Sequence, residues 1–359
     1  MSDSVLFELH PTAQGHQIAV ATLNAEKSLN ALTLPMIRRL APQLQAWADD
    51  PAVVCVLLQG AGEKAFCAGG DVVTLHQAIR AGDFASTDAF FREEYALDYA
   101  IHTYPKPVLL WGHGIVMGGG LGLLVGASHR VVTERSRIAM PEITIGLYPD
   151  VGGSWFLSRL PGRLGIYLGL TGASFNAADA LFTGLADYVL PNSARSGLLA
   201  ALAGLAWQGD GEADKRVLSA HLREQSRTTA PELAPSAIRA HYDAIQSLTD
   251  YDTIAEMVAA ITAYRGADDW LRAGAQKLAA GSPTSMRLVV EAQRRAKHLS
   301  LKEVFAMELT LSGQCCRHPD FAEGVRALLV DKDGAPNWSP ATLAEVNDAY
   351  LAEFFRPLA

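Results

Sequence analysis

Cysteine is scarce in this chain, and positive charge is not in excess. The four cysteines among 359 residues, Cys55, Cys67, Cys315 and Cys316, make no C-x-x-C pair. Adjacent Cys315 and Cys316 would point different ways on a helix and are poorly placed to bridge. They read as small core residues in a reducing compartment, which excludes a disulfide scaffold. Lys and Arg number 30 against 38 Asp and Glu, a formal charge of −8. That balance leaves no electrostatic footprint for nucleic acid, so an anionic ligand must be held by a local site. No repeat or low-complexity tract occurs. With 49% hydrophobic and 19% charged residues, the composition is that of a globular chain long enough for about two structural units.

Several chemical motifs are also missing. There is no G-x-x-x-x-G-K-[ST] loop, and Gly112-His-Gly114 lacks the third glycine of a dinucleotide fingerprint. Gly126-Ala-Ser-His-Arg and Gly172-Ala-Ser-Phe-Asn both break the G-x-S-x-G elbow, which removes a serine-hydrolase reading. The 10 histidines show no H-E-x-x-H or paired spacing, so no metal site is expected. Met1-Ser-Asp-Ser-Val has neither a basic n-region nor an apolar h-region, and an unexported, cytoplasmic protein is expected. Val108 to Ser128 carries no formal charge over a length that could cross a bilayer, but it holds seven glycines. Each interior glycine costs a helix about 1 kcal/mol relative to alanine. The stretch therefore reads as a buried strand, a glycine loop and a short helix from about Gly120, with no membrane span.

What is present is an α/β pattern followed by helices. Strands are predicted at Gln17 to Leu23, Val53 to Gln59, Val108 to Trp111 and Arg130 to Thr133, with helices at Leu34 to Ala48 and Asp88 to His102. Layered parallel strands follow from that alternation. Beyond about residue 195 strand-like runs vanish. Helical periodicity dominates Arg195 to Trp207, Pro235 to Leu248, Thr253 to Tyr264 and Asp268 to Ala279. Ser300-Leu-Lys-Glu303 is a capping box, and Ser339-Pro340 reads as the start of a last helix. A division into a core of residues 1–205 and a helical domain of residues 206–359 is expected.

Two glycine-rich turns and a set of carboxylates are the candidate chemistry. Lys64-Ala-Phe-Cys-Ala-Gly-Gly-Asp71 and Gly114-Ile-Val-Met-Gly-Gly-Gly120 each follow a predicted strand. Glycines there let backbone N–H groups approach a ligand, and two such groups on one carbonyl oxygen would form an oxyanion hole. Tight turn packing is the plain alternative. Glu142 and Asp150 lie in a stretch otherwise short of charge, as a cleft lining would. Glu93 and Glu94 follow Phe90-Phe91-Arg92; adjacent helical residues point about 100° apart, so at most one enters a site.

Leu23-Asn24…Leu29-Asn30-Ala-Leu32, Ala65-Phe-Cys-Ala-Gly-Gly-Asp71, Gly118-Gly-Gly120 and Met140-Pro-Glu142…Gly152-Gly153 together resemble the crotonase (enoyl-CoA hydratase/isomerase) superfamily over residues 20 to 190. Phe90-Phe-Arg-Glu-Glu-Tyr95, Tyr148-Pro-Asp150 and Asp320-Phe-Ala-Glu-Gly-Val-Arg-Ala…Asp331-Lys-Asp-Gly-Ala-Pro-Asn-Trp338 resemble its 3-hydroxyisobutyryl-CoA hydrolase branch across nearly the whole chain. The resemblance implies a spiral of ββα units with a helical C-terminal extension. It implies that the N–H groups of Gly70 and Gly119 hold the thioester oxygen, with Ala68 near the adenine of CoA. Glu142 matches the superfamily's catalytic glutamate, Asp150 the branch's second acid, and Glu94 the acid that contacts substrate. CoA phosphates would meet local bases such as Lys27 or Lys64.

Hydratases of the superfamily carry a second catalytic glutamate two residues after the triple glycine. Here that position is Gly122. Hydration needs two carboxylates for water and the α-proton, whereas thioester hydrolysis needs an oxyanion hole and one carboxylate that attacks or activates water. The resemblance thus implies hydrolysis of a short branched 3-hydroxyacyl-CoA, foremost 3-hydroxyisobutyryl-CoA, a step of valine catabolism. No cofactor is expected, since CoA is part of the substrate, and a homo-oligomer is left open. The rivals are an enoyl-CoA hydratase/isomerase and a non-catalytic acyl-CoA-binding protein.

Overall fold

The computed structural model describes residues 3–358. An antiparallel hairpin, β1 (Val5–Pro11) and β2 (Gln17–Leu23), opens the chain. Thr33 then caps α1 (Leu34–Asp49), its side chain accepting from the Met36 N–H. Three strand pairs follow: β3 (Val53–Gly60) with β4 (Ala65–Cys67), β5 (Val108–Gly112) with β6 (Ile115–Met117), and β7 (His129–Val132) with β8 (Arg137–Ala139). The first member of each pair joins a large sheet of order β1-β2-β3-β5-β7-β9, where β9 is Tyr188–Val189. The second members form a small sheet, β4-β6-β8. This repetition is the ββα spiral. All pairings of the large sheet beyond the hairpin are parallel. Strand β3 reads Val-Val-Cys-Val-Leu-Leu and is buried along that run, as a strand covered on both faces requires.

The chain clusters into two compact units, each gathered from three segments. One holds the chain through Gly70, Ala96–Ile138 and Phe175–Ser236; the other holds Asp71–Tyr95, Ala139–Ser174 and Ala237 onward. This partition crosses the boundary expected after residue 205, because Asp71–Tyr95 and Ala139–Ser174 pack with the C-terminal helices. In the first unit, Ile18, Val20, Leu57, Leu109, Trp111 and Val131 of the sheet form a core with Leu198 and Leu202 of the helix Arg195–Ala203 and Leu218 and Leu222 of the helix Gly211–Thr229.

In the second unit, aromatic residues in the middle of α3 (Phe84–His102, which follows α2, Val72–Ala81) anchor that helix. Phe91 meets Tyr95 at 5.7 Å and Phe321 at 6.5 Å between ring centroids, and Tyr95 meets Phe305 at 6.0 Å. All four cysteines are buried, and none forms a disulfide. The stretch from Val108 resolves into β5, β6 and a helix α4 (Gly119–Gly126), and no helix among the described residues is long and apolar enough to cross a membrane.

Two helix expectations differ from the structure. The run Pro235 to Leu248 breaks into Ala237–Ala240 and Tyr242–Thr249. Ser339-Pro340 opens no helix: the Ser339 N–H is held by Asp320 Oδ1 at 2.8 Å, and the last helix, Asp348–Glu353, starts instead at Asn347, whose side chain accepts from Tyr350 N–H. The branch motif around it is a polar clamp. Asp320 Oδ2 accepts from Ser282 at 2.6 Å, and Arg326 spans Glu323, Asp331 and Asp333 at 2.7–2.8 Å.

Candidate active site

The two glycine turns lie side by side in the first unit. Strands β4 and β6 are parallel neighbours, so the turns that leave their C-terminal ends emerge together. A Cβ on Gly120 would sit 2.4 Å from the Cys67 carbonyl oxygen, so only glycine lets α4 approach β4 this closely. A Cβ on Gly69 would lie 3.8 Å from the Gly119 nitrogen. Gly119 is the first residue of α4, where an N–H has no intrahelical acceptor and the helix dipole favours negative charge. Ala68 and Gly70 are half-buried.

The loop before β4 is held by Asn30, which is left-handed at φ 57 and buried. Its Nδ2 donates to the carbonyls of Ala61 and Ala65, both at 3.0 Å, and its Oδ1 accepts from the Ala25 N–H at 2.9 Å. The Leu29 carbonyl in turn accepts from the Ala68 N–H at 3.1 Å. The Leu29-Asn30 motif is thus the brace of the first glycine turn. Lys27 and Lys64 are exposed on the same unit.

The carboxylates gather in the second unit. Glu94 comes from α3 and is 2% exposed, whereas Glu93 is only half-buried. Glu142 opens a 3-10 turn, Glu142–Ile145, closed by left-handed Gly146. Gly146 admits no side chain, because a Cβ there would lie 2.2 Å from the Asp320 carbonyl oxygen. Asp150 begins the turn into α5 (Gly153–Leu157), and its carbonyl accepts from the Gly153 N–H at 2.6 Å. Val151 at φ 52 is a β-branched residue in the left-handed region, a strain worth about 1–3 kcal/mol that the surroundings must enforce.

A fourth carboxyl, Glu308 of the helix Leu301–Arg317, is fully buried and was not anticipated. Its signal lies in the helical stripe Val304, Phe305, Glu308, Leu311, Ser312, Cys315, all buried. A glutamate on that apolar stripe stands where a core residue belongs. Tyr95, Tyr148 and Ser312 also lacked an assigned role. Asp150 Oδ2 and Tyr95 Oη are 2.6 Å apart, Tyr95 Oη and Ser312 Oγ 2.6 Å, Ser312 Oγ and Tyr148 Oη 3.0 Å, and the Tyr148 hydroxyl donates to the Glu308 carbonyl at 2.9 Å.

None of the four carboxyls has an ion-pair partner among the described residues, and Glu94 Oε1 and Glu142 Oε2 are buried without a hydrogen bond. Burial pushes Glu94 and Glu142 well above the usual carboxylate range, and the neighbouring Asp150 adds to both shifts. Burial raises Asp150 to about 6 against the opposing Tyr95 hydroxyl, and raises Glu308 to about 8. The hydroxyl chain accommodates either state of Asp150. Ionised, it accepts the Tyr95 proton, and the three hydroxyl protons cannot fill all four links. Protonated, it supplies the fourth proton and every link can be a hydrogen bond. A proton-bearing acid beside a second carboxyl able to attack or accept is the chemistry this cluster offers. No group of three or more metal-ligating side chains occurs among the described residues.

Comparison with known proteins agrees with this architecture. A family model described as enoyl-CoA hydratase/isomerase matches residues 18–355. A curated relative named 3-hydroxyisobutyryl-CoA hydrolase, mitochondrial, from Danio rerio is 41% identical over 94% of this chain and 87% of its own length. The human protein of the same name is 38% identical over 94% and 86%. Among solved structures, a carnitinyl-CoA dehydratase from Mycobacterium thermoresistibile is 36% identical with a TM-score of 0.86, covering 99% of this chain and 97% of that one. An enoyl-CoA hydratase from Rhodobacter sphaeroides 2.4.1 is 34% identical with a TM-score of 0.84, covering 99% and 98%. The expected crotonase-like fold is upheld. The cytoplasmic location expected from the N-terminus is not, since these curated relatives are named mitochondrial. Motifs, ββα spiral and a family match over nearly the whole chain agree: the chain belongs to the enoyl-CoA hydratase/isomerase family.

Proposed function

We propose that the protein hydrolyses 3-hydroxyisobutyryl-CoA, or a closely similar short branched 3-hydroxyacyl-CoA, to the free hydroxy acid and CoA, a step of valine catabolism. The observation that carries this reading is the pairing of buried Glu142 and Asp150 with Gly122 at the position of the second hydratase glutamate. The names of the curated relatives point the same way. In this reading the N–H groups of Gly70 and Gly119 polarise the thioester carbonyl, as donors aimed at a developing oxyanion do. Ala68 lies along the adenine, and exposed bases such as Lys27 or Lys64 meet the phosphates.

Glu142 is the carboxylate that acts as nucleophile or base. It either attacks the carbonyl carbon, forming an anhydride that water cleaves, or takes a proton from the attacking water. Both routes break the C–S bond and end in one carboxylic acid and one thiol. Asp150 assists the transfer of a proton to the leaving sulfur. Glu94 accepts a hydrogen bond from the substrate hydroxyl. No cofactor enters either route.

The solved relatives named for hydration or dehydration favour a second reading, enoyl-CoA hydration on the same site. Gly122 weighs against it, because no carboxylate stands there to share the water and the α-proton. Release of free thiol from 3-hydroxyisobutyryl-CoA tests the proposal, and a purified enzyme that releases none overturns it.

A further inference from the structure

We infer that Glu308 is the positioning residue for Asp150, an inference that rests on Asp150 taking part in thioester hydrolysis. The turn that carries Asp150 is bent by two consecutive left-handed residues, Val151 at φ 52 and Gly152 at φ 84. Nothing in the local sequence favours that conformation at a valine, so the turn is held from outside. Glu308 holds it on both sides of Asp150. Its Oε2 accepts from the Gly152 N–H at 2.7 Å and its Oε1 from the Ser154 N–H at 2.9 Å. Its backbone carbonyl accepts from the Tyr148 hydroxyl at 2.9 Å. One residue of the helix Leu301–Arg317 thus grips positions 148, 152 and 154 and leaves the Asp150 carboxyl between them.

Ser312, one helical turn after Glu308, lies on the same face and joins Asp150 through the Tyr95 hydroxyl. A fully buried carboxyl without a cation is a costly way to fill a core position. Each of its oxygens keeps a lone pair whether the carboxyl is ionised or protonated, so it can satisfy both N–H groups that the turn presents together. Glutamine at 308 keeps the volume but offers an acceptor to one N–H and a donor to the other. The turn then relaxes and Asp150 moves, and displacements of about 1 Å at reacting groups cost about 10²-fold in rate.

The test is a double-mutant cycle on full-length enzyme, with thiol release from 3-hydroxyisobutyryl-CoA as the assay. Glu308→Gln is expected to lower kcat about 10- to 100-fold with KM within about threefold. In the Asp150→Asn background the same change is expected to lower the residual rate less than about twofold, because a residue acting through Asp150 has nothing left to position. Glu308→Asp, which keeps two acceptor oxygens but draws them one methylene back from the Gly152 and Ser154 N–H groups, gives the same contrast should Glu308→Gln not fold. Equal losses in both backgrounds, or an unchanged kcat in the single variant, would overturn the assignment while leaving the hydrolase reading intact. A wild-type enzyme that releases no thiol would overturn both.

Discussion

Replacing Asp150 by asparagine keeps its shape and its ability to accept from Tyr95, and removes one titrating group. Burial raises the Asp150 carboxyl from its ordinary 3.8 to about 6. With the folded value above the unfolded one, the protonated acid contributes stability that is complete below about pH 3.8 and lost as pH rises through about 6. Above that window, ionised Asp150 costs the native state about 3 kcal/mol relative to an unburied carboxyl. Glu94 and Glu142 are raised by the same neighbour, so removing its charge relieves them in the same direction. Asp150→Asn is therefore expected to gain about 2–3 kcal/mol relative to wild type between pH 4 and pH 8, while thiol release falls about a hundredfold. Denaturant unfolding of both proteins at the two pH values measures the first effect, and a thiol assay the second. A stability difference identical at pH 4 and pH 8 would refute the claim that this carboxyl is held against ionisation.

Other substitutions separate the remaining roles. Glu142→Gln should abolish turnover and leave acyl-CoA binding within about tenfold, because it keeps shape and removes the nucleophilic or basic oxygen; near-normal kcat would place the chemistry elsewhere. Glu94→Ala should lower kcat/KM for 3-hydroxyisobutyryl-CoA far more than for isobutyryl-CoA, since an acceptor built for a hydroxyl discriminates by that bond; equal losses would make Glu94 structural. Gly119→Pro deletes one proposed oxyanion donor at a position where helices tolerate proline, and should cost about 10²–10³ in kcat. A folded variant keeping more than about a tenth of the rate would remove Gly119 from that role. Asp150→Gly should not create crotonyl-CoA hydration, which a hydration assay would detect, because Gly122 still lacks a carboxylate.

What could be read in advance follows from how local each signal is. The strands β2, β3, β5 and β7 are unbroken apolar runs between turn residues, and their type and place were legible. Strands β4, β6 and β8 have only three residues each, too few for a period, and they exist because the small sheet pairs them. Glu142 and Asp150 stood out as charges in an apolar stretch, and both are buried. That Glu94 rather than Glu93 points inward depends on the aromatic anchoring of α3 by Phe91 and Tyr95. Glu308 was hidden by distance: 156 positions separate it from the Gly152 N–H that it binds. The interleaved units could not be read from composition, because Asp71–Tyr95 and Ala139–Ser174 reveal their partners only by packing.

The proposed hydrolase cleaves a thioester instead of adding water across a double bond. Parallel assays of one wild-type preparation, thiol release from 3-hydroxyisobutyryl-CoA and loss of crotonyl-CoA absorbance, measure this directly. The kcat/KM for hydrolysis is expected to exceed that for hydration by at least about a hundredfold, the usual worth of a lost acid–base group. Hydration at a rate rivalling hydrolysis would contradict that reading.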